Sequence, residues 1–165
     1  MKKILPALVA GFGAGVFSII PITKALACCF IVPLAAIAAI YLQVRVNGEI
    51  PPIAISKGIV LGLLTGIFAA FFGTLFDVII TMITKTNDLV EGLPQMQQAF
   101  QDLPVSDELK QQAIDMIGAM ADEISEKGFS LLYTFSIGFN NFLFDAIFGF
   151  IGGLIGIQII NKRMK

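Results

Sequence analysis

The chain contains no histidine and no tryptophan. Without histidine, the commonest metal ligand and the commonest general base at neutral pH are both missing, which makes catalysis and metal chemistry poor starting points. Cysteine is almost as scarce. Cys28 and Cys29 are the only two, and they are adjacent. That spacing gives neither a relaxed disulfide nor a chelating Cys-x-x-Cys pair, so they read as small apolar residues. An alternative is a lipoprotein cleavage box, Ala25-Leu26-Ala27-Cys28, behind a signal peptide starting at Lys2 and Lys3. Lys24 just before the box, Ala25 where a larger aliphatic is usual, and the apolar span that follows at once all oppose it.

Charge is the third scarcity. Only 14% of the residues are charged while 56% are apolar, and the mean hydropathy is +0.86. A soluble globule of 165 residues could not cover itself with so little polar surface. What fills the chain instead is four apolar stretches, at about 4–22, 25–44, 58–84 and 129–160. Each can cross a hydrocarbon core of about 30 Å. The expected fold class is an all-α integral membrane protein, a single membrane domain over residues 1–165 with four transmembrane helices. An acidic, partly helical extracytoplasmic excursion at 85–128 separates helices three and four.

The net charge of −1 conceals an asymmetry. Nine of the twelve acidic residues lie between Thr86 and Gly128, opposed there only by Lys110 and Lys127. Short loops rich in Lys and Arg stay cytoplasmic. With both termini inside, Lys2, Lys3, Arg45, Lys57, Lys162, Arg163 and Lys165 face the cytoplasm, and Lys24 with the acidic segment faces out. The location expected is a bacterial cytoplasmic membrane.

The first span carries Gly11, Gly13 and Gly15 and ends near Pro21, so spans one and two form a hairpin with almost no loop. Pro33 lies inside the second span and should kink it. Tyr41 follows at an interfacial level, and Asn47-Gly48, Pro51 and Pro52 end any helix. In span three Gly58, Gly62 and Gly66 recur every four residues, with Gly73 nearly on the same stripe; in span four Gly149 pairs with Gly153 and Gly152 with Gly156. Glycines at i and i+4 flatten a helix face so that another backbone can approach, within the chain or from another subunit. The third and fourth runs, 27 and 32 residues long, exceed the core they cross, so they tilt or project outward.

In the excursion, Ser106 is a candidate N-cap with Asp107 and Glu108 in the first turn, and Lys127-Gly128 supplies a basic last turn and a C-cap. Leu109, Ala113, Met116, Ile117, Met120 and Ile124 share one face of the helix expected over 107–127. A shorter helix near Asp88 to Gln101 is interrupted by Gly92 and Pro94. The acidic character argues against strong adhesion to anionic lipid.

Two ionisable groups fall within apolar spans, Asp77 and Asp145, in the matching settings Leu75-Phe76-Asp77 and Leu143-Phe144-Asp145. A charge in hydrocarbon is costly unless paired, hydrated or neutralised, so such groups are the chief candidates for function. If spans three and four run antiparallel with Gly58 level with Ile160, Asp77 is level with Asn141, and Asp77, Asn140, Asn141 and Asp145 form a polar cluster near the outer boundary. Its alternatives are structural polar pairs and cation or proton handling. Two carboxylates on facing helices also evoke intramembrane aspartyl proteases, but Asp77 follows Thr74-Leu75-Phe76 where those enzymes have Gly-x-Gly-Asp. No phosphate loop, nucleophile elbow or metal-ligand set is present in the sequence.

A Cys-Cys pair opening span two, a Tyr near its end followed by a short basic loop, a Gly-rich third span, a polar excursion, and the final Phe148-Gly149-x-x-Gly152-Gly153-Leu154-x-Gly156 ending in Lys162-Arg163 together form a pattern. It resembles small uncharacterised four-span bacterial membrane proteins classed as domains of unknown function. The resemblance implies a topology and no activity. The function expected is a non-catalytic structural or accessory membrane subunit associating through its Gly-rich faces, as a homo-oligomer or beside a larger membrane-protein partner. The alternative is a small homo-oligomeric channel or transporter using the Asp/Asn cluster. No catalytic residue, metal, cofactor or nucleic-acid partner is expected; the lipid bilayer is.

Overall fold

A computed structural model of the chain describes residues 4–20, 24, 26–50 and 52–163. Lys2, Lys3, Pro21, Ala25, Pro51 and Lys165, which bear on topology, the first hairpin, the cleavage box and the basic loop, lie outside the described residues. Among the described residues regular structure is all helical. The α-helices are α1 (Leu5–Phe17), α2 (Val32–Asn47), α3 (Ile55–Thr84), α4 (Asp88–Gln101), α5 (Asp107–Lys127) and α6 (Leu131–Arg163), and a π-helical turn, Ala27–Ile31, leads into α2. Among the described residues three helical stretches are long and apolar enough to cross a membrane: Cys29–Asn47, Ile55–Thr84 and Leu131–Lys162.

α1 is apolar but only 13 residues long, about 20 Å of helix. The first apolar stretch therefore stays α-helical only to Phe17. Beyond it the N–H groups of Ile19 and Ile20 reach back three residues, to Val16 and Phe17, and tighten the chain into a turn. Pro33 lies within the helical run Cys29–Asn47. It occupies the second position of α2, and the irregularity falls before it as the π turn. α2 ends as its sequence dictates: Gly48 adopts φ +61°, and its N–H closes on the Val44 carbonyl. Near that end Arg45 lies over the Tyr41 ring, 5.2 Å from its centroid.

The chain divides into two compact units, Met1–Phe76 with Ile137–Lys165, and Asp77–Ser136. In the first, the helices form a closed ring. α1 packs on α2. Gly11 and Gly15 of α1 meet α3 at Thr65, Phe68, Phe72 and Gly73. Gly58, Gly62 and Gly66 of α3 meet α6, and Gly152 and Gly156 of α6 return to α2 at Pro33 and Ile37. The order around the ring is thus α1, α3, α6, α2. Its interior is built largely of small residues, including Ala7, Ala14, Ala36, Ala39, Ala69 and Ala70, with Ile40, Ile157 and Leu61 at one end. The outside is the reverse. Leu5, Val9, Phe12 and Val16 form an exposed stripe along α1, and Phe139, Phe142, Phe150 and Ile155 are exposed on α6.

In the second unit α4 and α5 pair through Leu89, Ile117 and Ile124, flanked by Leu93, Met96, Phe100 and Met120. The Asn87 side chain caps α4 by accepting from the N–H groups of Leu89 and Val90, each at 3.1 Å. α4 runs unbroken through Gly92 and Pro94. The lost hydrogen bond at Pro94 is outweighed by the apolar face that the continuing helix sets against α5. α5 keeps the expected ends, but Ser106 caps it without a side-chain hydrogen bond. Gly128 closes it at φ +73°, its N–H 2.7 Å from the Ile124 carbonyl. Of the stripe expected on α5, Ile117 and Ile124 are buried while Leu109 and Met116 stay exposed.

Candidate functional site in the long helices

The polar residues of α3 and α6 are positioned by the glycines between them. At Gly62 a β-carbon would fall on the Gly149 carbonyl, and at Gly149 on the Gly62 carbonyl; Gly153 stands in the same relation to the Gly58 carbonyl, and Gly66 to the Asp145 carbonyl. Only backbones without side chains approach so closely. Gly149 with Gly153, and Gly152 with Gly156, lie on adjacent faces of α6 about 60° apart, so one helix serves two neighbours. Gly73 faces α1 instead, against Ser18 and Gly15. The eight glycines of the stripes in spans three and four therefore all meet other helices of this chain.

These contacts also correct the register. Gly58 lies against Gly153 and Ile157, not level with Ile160. The glycine carbonyls set this alignment, and the spacing of glycines along each helix does not reveal which carbonyl they meet.

The residues expected to cluster fall in both units, and each is described within its own. Within the first unit the Asn141 amide donates to Thr74 Oγ1 at 3.0 Å, and Gly138, one turn earlier, leaves room for the Thr74 methyl. Asn140 is exposed. Asp145 is half-buried; its backbone carbonyl lies against Gly66, and its carboxyl has no hydrogen-bond partner among the described residues. Within the second unit the half-buried Asp77 carboxylate accepts from the Tyr133 hydroxyl at 3.3 Å, a long hydrogen bond. Ser130 aims that tyrosine: it is fully buried just before α6, and its Oγ lies 3.5 Å from the Tyr133 N–H in the first turn.

Tyr133 and Thr74 are plain polar residues in the sequence, and nothing in their spacing marks them as partners of Asp77 and Asn141. Two further residues carry a signal that a search for carboxylates overlooks. Asn161 holds the loop before α3 to the end of α6: its Oδ1 accepts from the Ile53 N–H at 2.8 Å and its Nδ2 donates to the Ile53 carbonyl at 3.0 Å. Gln43 is a lone amide in an apolar span, buried with its Oε1 unpaired among the described residues. Among the described residues no three His, Cys, Asp or Glu side chains converge as a metal site would require.

A scan against protein-family models and searches of curated proteins and of solved structures returned no match.

Proposed function

We propose that the chain is a four-span, non-catalytic membrane subunit of a bacterial cytoplasmic membrane, with both termini cytoplasmic, the α4–α5 pair outside, and a larger membrane protein or further copies of itself as partner. One observation carries this reading: the ring is built inside out relative to a water-soluble bundle, with glycine and alanine at its contacts and phenylalanine, leucine and isoleucine outside. Water penalises such a surface, whereas lipid accepts it and rewards close backbone packing. The exposed stripe on α1 supports a lipid-facing role for that helix too, with bilayer thinning or flanking residues making up its length. Because the glycine faces are occupied within the chain, partner contact falls to the outer apolar faces. Single cysteines in a Cys-free background test the topology. Gln112→Cys should react with an impermeant maleimide in intact cells and Lys162→Cys only after lysis; the opposite pattern inverts the protein. Purification in mild detergent, followed by mass measurement, tests for the partner.

The carboxyl of Asp145, without a described hydrogen-bond partner, favours a second reading as an oligomeric proton or cation path. Reconstituted wild type, Asp77→Asn and Asp145→Asn are all expected to give no flux above empty vesicles. A wild-type flux lost in Asp145→Asn would reverse the order of the two readings, because the amide keeps the size and polarity of the side chain and removes the charge.

A further inference from the structure

A cavity of about 360 Å³ opens beside α3 in the first unit, with Gln43, Glu49 and Lys57 at its polar end and Val60, Leu61 and Leu64 along its apolar wall. The volume equals about a dozen waters, but most of its lining is hydrocarbon, which water does not wet well. Gln43 is only 7% exposed, and its Oε1 is buried without a hydrogen-bond partner among the described residues. No described residue pairs with the rest of its amide. Leaving an amide unpaired in an apolar setting is unfavourable, and natural structures keep such groups mainly where something else satisfies them.

The rim supplies both signs of charge. Lys57 Nζ lies 3.1 Å from each carboxylate oxygen of Glu49, with the two side chains 56% and 23% exposed. An ammonium has three donors and a carboxylate about four acceptor sites. Among the described residues the pair therefore keeps one donor for an anion and about two acceptor sites for a cation, side by side.

We infer that this cavity binds the headgroup and glycerol of a zwitterionic phospholipid bearing a primary amine. The phosphate meets Lys57, the ammonium donates to Glu49, the Gln43 amide meets the glycerol ester, and the acyl chains leave along Val60 and Leu64. The inference rests on the membrane placement proposed above; with both termini inside, the lipid belongs to the cytoplasmic leaflet. A choline headgroup has no N–H to give Glu49. A glycerol headgroup carries net negative charge and no cation, so Glu49 opposes it.

The test is native mass spectrometry of the full chain released from detergent. Phosphatidylethanolamine, phosphatidylcholine and phosphatidylglycerol of identical acyl chains are supplied in equal amounts. Wild type should retain the amine lipid roughly tenfold over the other two, the worth of one charge-assisted hydrogen bond. Glu49→Gln should erase the preference for amine over choline, and Lys57→Met should lower retention of all three. Lys57 is exposed and Glu49 partly so, and helicity and elution volume should match wild type. Equal retention of the three lipids by wild type, an unaltered preference in Glu49→Gln, or equally good binding of water-soluble phosphoethanolamine would each overturn the inference. If the protein stays soluble without detergent, the membrane reading falls with it; if it needs detergent but shows no headgroup preference, only the lipid site falls.

Discussion

Gly62→Ala is expected to lower stability by about 3 kcal/mol, at the upper end of what an extra methyl costs in a packed interior. The cost is high because the obstacle is not a side chain that can rotate away. A β-carbon at Gly62 would meet the Gly149 carbonyl and the Gly153 backbone, and a β-carbon at Gly149 would meet the Gly62 carbonyl and the Gly66 backbone. To accommodate either, α3 and α6 must separate along their shared face, loosening the contacts at Gly58, Gly66 and Gly153 as well. Gly149→Ala should cost a similar amount, and the double mutant less than the sum, since one separation of the helices serves both methyls. Gly13→Ala is the control: nothing lies within 4 Å of a β-carbon there, and alanine favours helix, so stability should be unchanged or slightly raised. Circular-dichroism melts in one mild detergent compare the four variants with wild type. A Gly62→Ala melt indistinguishable from that of Gly13→Ala would refute the close α3–α6 contact.

The glycine spacing also marks the limit of what the sequence discloses. Four-residue repeats identify a flat face, and each face singled out does lie against another helix. Spacing carries no information about the partner's register. Gly58 meets Gly153 and Ile157 rather than Ile160, and the hydrogen bonds of Asp77 with Tyr133 and of Asn141 with Thr74 are not marked by any spacing. Helix ends follow the same division. α5 was readable to the residue because cap chemistry is local: acidic residues in the first turn, and a glycine free to adopt a left-handed conformation after the last. The end of α1 was not, because Phe17-Ser18-Ile19-Ile20 continues apolar without a strong stop. The π turn before Pro33 spans Cys29, the residue whose carbonyl the proline ring opposes, so that irregularity has a local cause. Gln43 was visible as the one amide inside span two; only its burial and the cavity beside it make it a candidate.

Ile124→Ala should destabilise the α4–α5 pair by about 3 kcal/mol, within the usual range for deleting most of a fully buried isoleucine. Ile124 is 0% exposed and packs in one cluster with Leu89 and Ile117, so little around it is free to collapse into the space left. A second consequence follows from its place near the α5 end. The Ile124 carbonyl accepts from the Gly128 N–H, and Gly128 itself packs against Met82. Loosening the last turn of α5 therefore loosens its cap and the link to the end of α3, all within the same unit. Met116→Ala tests whether the loss comes from burial rather than from shortening any apolar side chain of the stripe: Met116 is exposed, and its replacement should change stability by less than about 0.5 kcal/mol. Hydrogen exchange followed by mass spectrometry reads both variants peptide by peptide. Faster exchange across α4 and α5 in Ile124→Ala, with Met116→Ala matching wild type, is the expected pattern. Equal exchange in both would mean that the two helices do not hold each other through Ile124. The exposed Leu109 and Met116 would then have to be reconsidered as the face that packs, leaving the buried side of α5 as the one open to a partner.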